Sequence, residues 1–173
     1  MPPQIPPKDR AAIEAEVERL GARAVLEFGP GASTRLFLEA GVSRIVTCEY
    51  SDEWFRKAVR EWGGDPRVEV RRFTNAPEPP VAGDPLGAFD LALVDSPIGS
   101  NRRERLPGQE ECSRLNTTLL ALLHAPVVLL HDCHRPGEQA TLERVKVAGH
   151  KVTVLTPGDE SEVGKGVARI ERC

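Results

Sequence analysis

The residues best suited to chemistry in this 173-residue chain are acids and histidines that sit in or directly after short apolar runs. Glu27 lies inside Ala24-Val25-Leu26-Glu27-Phe28, and Glu49 follows Arg44-Ile45-Val46-Thr47-Cys48. Asp95 ends Phe89-Asp90-Leu91-Ala92-Leu93-Val94-Asp95. His131 and Asp132 follow Ala125-Pro126-Val127-Val128-Leu129-Leu130, with His134 two residues on. A carboxylate can accept both hydrogen bonds of a vicinal diol. A carboxylate or an imidazole can also take the proton of a hydroxyl nucleophile. His131, Asp132, His134 and Asp95 are therefore the candidates for proton transfer, with one of the two histidines expected as the base.

A turn follows the first run, Gly29-Pro30-Gly31-Ala32-Ser33-Thr34. Gly29 and Gly31 allow positive φ and let a ligand approach the backbone with no Cβ in the way, while Pro30 stiffens the loop. Ser33 or Thr34 can cap the helix that carries Leu36, Phe37, Leu38 and Ala40, whose first amides would point at whatever sits above the strand. Dinucleotides and S-adenosylmethionine both use such a turn. The third glycine of the dinucleotide fingerprint would fall at Thr34, so that fingerprint is incomplete. Glu27 would repel a pyrophosphate and attract an ammonium group, which favours S-adenosylmethionine over NAD. Glu49 follows Gly29 by about 20 residues, the spacing that brings an acid to ribose hydroxyls in a βαβ unit. Asn75, after a run from Arg67 to Phe73, could offer donor and acceptor to an adenine edge.

The elements that must hold these groups alternate. Helical patterns cover Asp9 to Leu20, the stretch after Gly31, Asp52 to Trp62, Glu110 to Leu123 and Gln139 to Ala148. Ser51 or Asp52 caps the third of these, with Trp54, Phe55, Ala58 and Trp62 expected inward; Leu115, Leu119 and Leu122 are expected to share one face of the fourth. Lys151 to Leu155 and Val167 to Ile170 read as strands with no helix between them, hence an antiparallel hairpin. This pattern predicts an α/β, doubly wound, mostly parallel sheet with helices on both faces. Glu27, Glu49, Asn75, Asp95, Ser96, His131 and Asp132 then fall at the C-terminal strand ends, the edge where such sheets bind ligands. Residues 1–8 read as a flexible proline-rich arm and 9–173 as a single domain.

Composition bounds the function. A formal net charge of −3 gives no global reason to expect nucleic acid as a partner. Cys48, Cys112, Cys133 and Cys173 form no CxxC pair, so no zinc framework is signalled and reduced thiols are expected. No apolar run reaches signal-peptide length or the roughly 20 residues of a membrane span. The expectation is a soluble, cytoplasmic protein with no membrane partner. Arg102, Arg103 and Arg105 read as a solvated basic loop, with recognition of an anionic substrate as the sharper alternative.

From Asp9 onward the chain resembles the class I S-adenosylmethionine-dependent methyltransferases. The resemblance rests on Glu27-Phe28-Gly29-Pro30-Gly31, on Glu49 and Asp95 at their strand ends, and on the two-strand finish. It implies a seven-stranded sheet in the order 3-2-1-4-5-7-6 with the last strand antiparallel. The cofactor would be S-adenosylmethionine, held by Glu27, Gly29, Gly31, Ser33, Thr34, Glu49, Asn75, Asp95 and Ser96. The loop Asp95-Ser96-Pro97-Ile98 lacks the double proline and aromatic that base and glutamine N-methyltransferases use. The expected reaction is therefore O-methylation of a small-molecule or sugar hydroxyl. Some small-molecule O-methyltransferases hold a divalent cation between acids ending strands four and five. Asp95 and Asp132 occupy similar positions, Mg being the match for hard oxygen ligands, although Cys133 stands where that pattern has Asn. Substrate contacts would come from the N-terminal arm, the loop after Asp95, the segment after His131, or a partner subunit in a homodimer. An NAD-binding oxidoreductase and a non-catalytic nucleoside-binding protein on the same fold are the rival functions.

Overall fold

The computed structural model describes residues 5–73, 87–96, 114–157 and 165–173. Helices α1 (Pro7–Leu20), α2 (Ala32–Glu39), α3 (Asp52–Trp62), α4 (Leu115–His124) and α5 (Pro136–Val147) alternate with strands β1 (Ala24–Phe28), β2 (Arg44–Glu49), β3 (Val68–Arg72), β4 (Leu91–Val94) and β5 (Val127–His131). Strands β6 (Lys151–Val154) and β7 (Val167–Glu171) close the chain. The seven strands form one sheet in the order β3-β2-β1-β4-β5-β7-β6, as the family resemblance implies. Strand β7 runs antiparallel to both β5 and β6, and the remaining pairs are parallel.

The apolar runs of β1, β2, β4 and β5 are continuous because helices cover both faces of the sheet. Leu26, Phe28, Val94 and Leu130 point to the face packed by Leu120, Leu122, Leu142 and Val145 of α4 and α5. Val25, Ile45, Leu93 and Leu129 point to the other face, against Ile13 and Val17 of α1, Leu36 and Phe37 of α2, and Ala58 and Trp62 of α3. The parallel register sets the strand ends level. Phe28 pairs with Cys48 and with Val94, and Val94 pairs with Leu130. Gly29, Glu49, Asp95 and His131 thus emerge together along one edge.

Several expectations are corrected. Helix α1 begins at Pro7, so Pro7 and Lys8 belong to its first turn rather than to an arm, and Ile5 packs against the core. Helix α5 likewise starts at Pro136 instead of Gln139. The cause is shared: proline at the first helical position lacks an N–H that would be unpaired anyway, and its fixed φ suits the helix. Trp54 is 37% exposed, with the Lys57 ammonium 4.2 Å from its ring centre, and Leu119 is 39% exposed, so neither faces inward. Helix α4 instead buries Thr117, Thr118, Leu120, Ala121 and Leu122. The described part of that helix starts at Leu115. Asn75, Cys112, the loop after Ser96 with Arg102, Arg103 and Arg105, residues 1–4 of the arm, and Glu110 all lie outside the described residues. Among the described residues, no helix is long and apolar enough to cross a membrane. Cys48 and Cys133 are buried and Cys173 is exposed.

Candidate functional site

A cleft of about 410 Å³ opens along the level strand ends, bounded by Gly29 to Ser33, Glu49 to Ser51, Asp95 and Ser96, and by His131 and Asp132. Its floor is built by β1 and its turn. Gly29 has φ +100°, and a Cβ there would stand 3.1 Å from Ser96 Cβ and 3.2 Å from the Asp95 carbonyl carbon, so the residue needs both the left-handed conformation and the missing side chain. Gly31 differs from expectation. Its φ of 168° is extended backbone open to any residue, and a Cβ on it would meet nothing within 4 Å. Its value to the site is the open space above it.

Ser33 and Thr34 do not cap α2 in the expected way. Their hydroxyls donate to Glu27 Oε1 and Oε2 at 2.5 and 2.6 Å, while Thr34 Oγ1 accepts the Gly31 N–H at 3.0 Å. Glu27 is fully buried, and burial pushes its carboxyl up to about 7 despite the hydroxyl donors and with the charge of Asp95 adding to the rise. It therefore braces the turn from beneath. With both oxygens engaged by hydroxyls, it is not the partner that an ammonium group would meet in the cleft. Glu49 lines the cleft, accepts the Ser51 N–H at 2.8 Å, and is raised by burial against the amides of Ser51 and Tyr50 and the charge of Arg72.

Beyond β4 and β5 the groups form one dense network. His131 is 4% exposed; its Nδ1 lies 3.0 Å from Asp95 Oδ1 and its Nε2 3.3 Å from Asp9 Oδ2. Burial disfavours the imidazolium, but Asp95, Asp9 and Asp132 together raise its pKa to about 9. Asp95 behaves conversely: burial would raise its carboxyl, yet His131, Arg114 and Arg135 hold it well below the usual carboxylate range. Asp132 follows β5 with φ 56°, the one non-glycine residue with positive φ among the described residues. An Asp tolerates that conformation better than most residues, and it turns the carboxylate toward Arg114, Arg135 and Lys165 at 3.4, 2.8 and 3.7 Å.

Of the proton-transfer candidates, the structure brings Asp95, His131 and Asp132 together and leaves His134 apart. His134 Nε2 donates to the Thr156 carbonyl at 3.0 Å and packs where a Cβ on Gly166 would stand, joining the loop after β5 to the ends of β6 and β7. His131, charged and engaged at both nitrogens, has no lone pair to accept a proton at neutral pH.

Asp9, Arg114, Glu138, Arg135 and Lys165 complete the site and had no motif to reveal them. Asp9 is buried and accepts from Gly166 N–H at 3.1 Å as well as from His131. Its pKa is lowered, the partners outweighing the effect of burial. An acid in a helix's first turn ordinarily needs only the helix dipole to explain it. Arg114 likewise read as one more charge on an expected helix.

The residues do not fit a resident divalent cation. Asp95, His131 and Asp132 each offer a ligand atom, all within 4.8 Å of one another. However, the Arg114 guanidinium stands 3.3 Å from Asp95 and 3.4 Å from Asp132, and His131 is itself cationic. A metal ion would be pressed against like charge. The expected Mg site at Asp95 and Asp132 is therefore unsupported.

The residues do fit a nucleoside-bearing ligand, with open space over Gly31 and an acid at the end of β2. No family model matches the sequence, and no curated protein matches it. Solved structures do match. A caffeoyl-CoA O-methyltransferase candidate from Staphylococcus aureus aligns with TM-score 0.67 at 13% identity, covering 99% of this chain and 86% of its own. The S-adenosylhomocysteine-bound Podospora anserina methyltransferase PaMTH1 aligns with TM-score 0.59 at 18% identity, covering 94% and 76%. The N-terminal domain of EvdMO1, solved with S-adenosylhomocysteine and D-fucose, aligns with TM-score 0.55 at 19% identity, covering 94% and 81%. At these identities the likeness establishes the fold: the chain has the Rossmann-like fold of class I S-adenosylmethionine-dependent methyltransferases.

Proposed function

We propose that this chain is an S-adenosylmethionine-dependent methyltransferase acting on a small-molecule or sugar hydroxyl. The observation that carries the reading is the convergence of the Gly29–Gly31 turn, Glu49, Asp95 and Asp132 on one cleft at the C-terminal edge of the sheet. A dinucleotide-binding oxidoreductase fits less well, because the doubly wound dinucleotide order is 3-2-1-4-5-6 and here β7 inserts antiparallel between β5 and β6.

In this reading Glu49 accepts the two ribose hydroxyls, and the backbone of the glycine turn receives the methionine end. Asp95, held ionised and 31% exposed at its side chain, faces the donor's ammonium group, the task first expected of Glu27. When bound there, S-adenosylmethionine would supply an electrophilic methyl group for the acceptor oxygen, with a neutral thioether as the leaving group. Asp132 takes the hydroxyl proton. Its Oδ1 has no hydrogen-bond partner among the described residues, although it is buried at the cleft wall. The chain's main contribution is to align the partners and assist deprotonation.

A thermal-shift comparison tests the reading. S-adenosylmethionine and S-adenosylhomocysteine should each stabilise the protein by about 2.7 kcal/mol at 100 times Kd, with NAD inert. Turnover with hydroxyl acceptors would then separate an enzyme from a nucleoside-binding protein. Stabilisation by NAD alone would reverse the assignment. An RNA arm tests the expectation, drawn from the net charge of −3, that nucleic acid is not the acceptor.

A further inference from the structure

Two carboxylates and a histidine meeting at adjacent strand ends form a donor set that a divalent cation would ordinarily bridge. In this protein an organic cation stands there. Arg114 precedes α4, is 2% exposed, and reaches both strand ends from outside the sheet. Its Nη1 donates to the His131 carbonyl at 2.8 Å and lies 3.3 Å from Asp95 Oδ1. Its Nη2 lies 3.4 Å from Asp132 Oδ2, and its Nε is 3.5 Å from Glu138 Oε1 on α5. A planar guanidinium can serve several acceptors in fixed directions, which a lysine ammonium cannot copy.

We propose that Arg114 is a built-in cation of the cleft, a positioning residue that clamps Asp95 to Asp132 and thereby takes the place of a divalent metal ion. Three features favour this over a plain structural ion pair. Arg114 spans β4, β5 and α5, so it fixes the spacing of the two carboxylates that border the cleft. It also contacts the backbone of His131, the residue that joins them. Finally, it stands against the carboxylates of two of the three residues that could hold a metal, Asp95 and Asp132. The inference rests on the methyl-transfer reading only for the purpose of the cleft. Metal binding is measured without donor or acceptor, so the two can fail separately.

The experiment is a Mn²⁺ titration of the full chain followed by electron paramagnetic resonance, paired with thermal melts in Mn²⁺ and in EDTA. Wild type should bind no stoichiometric Mn²⁺ and melt at the same temperature in both. Arg114→Gln, which uncovers the donor set, should take up about one Mn²⁺ per chain, gain melting temperature from it, and lose both effects when combined with Asp132→Asn. Arg114→Lys keeps the charge and should stay Mn²⁺-free. A merely structural arginine would lower the melting temperature in Arg114→Gln without creating Mn²⁺ uptake, and that result overturns the proposal. So does stoichiometric Mn²⁺ binding by wild type that Asp132→Asn abolishes. Should Arg114→Gln not fold, the wild-type and Arg114→Lys titrations still decide, since Mn²⁺ uptake by either contradicts a site already filled by positive charge.

Discussion

His131 Nδ1 lies 3.0 Å from Asp95 Oδ1, and this contact joins the end of β5 to the end of β4 as an ion pair. Its other nitrogen faces Asp9 of α1, so one imidazolium links the first helix to the centre of the sheet. The group that looked like a general base is instead a fixed cation. In the proposed methyl-transfer reading, proton acceptance passes to Asp132, next to it in the chain.

The pair makes stability depend on alkaline pH. The folded pKa of His131 is about 9, above an unfolded value near 6.5, so the folded chain keeps a proton that the unfolded chain releases. The stabilisation is complete below about pH 6.5 and is lost as the pH rises through 9, with a size of about 3 kcal/mol. His131→Gln should therefore be clearly less stable than wild type at pH 6 and approach it above about pH 9.5. Urea unfolding across that range checks this, and a constant gap between the two proteins contradicts it.

Donor binding should respond to two changes at the cleft. Because a Cβ on Gly31 meets nothing within 4 Å, Gly31→Arg should fold normally while its side chain fills the cleft. Glu49→Ala removes the acceptor for the ribose hydroxyls, and hydrogen bonds to a charged group contribute about 1.5–3 kcal/mol, or roughly 10- to 150-fold in Kd. Calorimetry with S-adenosylhomocysteine measures both. Unchanged affinity in both variants would remove the site from this edge of the sheet.

How much of this was legible in the sequence depends on whether the signal was local. The apolar run of β1, the glycine turn and Glu49 follow one another along the chain, and the strand order came with the family resemblance. The partners of Glu27 sit six and seven residues away, yet Ser33 and Thr34 read as caps because a hydroxyl at a helix start has two uses. The contacts of Asp9 and Arg114 span 122 and 18 residues and are created by sheet closure. Charge alone gave no sign that either would be buried.

Glu27 should behave as a buried brace. Its folded pKa of about 7 exceeds the unfolded value of about 4.3, so the folded state again holds the extra proton and wild type loses stability as the pH rises from about 4.5 to 7. Glu27→Gln, which cannot ionise, should remove that part of the pH dependence. Glu27→Ala should be the worse variant at every pH, since it strips the partner from two buried hydroxyls at about 1–3 kcal/mol each. Equal stability of the two variants would count against the brace.

Asp132→Asn separates chemistry from binding. The amide keeps the shape at a backbone position with φ 56°, where Asn is as well tolerated as Asp. It cannot take a proton. If Asp132 is the base, kcat should fall by about 10²- to 10⁴-fold while S-adenosylhomocysteine affinity stays near wild type. The loss should be smaller for acceptors whose hydroxyl is already acidic, because such an oxygen arrives ionised and needs no base. Comparing a phenol bearing electron-withdrawing groups with an aliphatic alcohol gives the decisive readout. An equal loss on both acceptors would assign Asp132 to positioning, leaving deprotonation to another group.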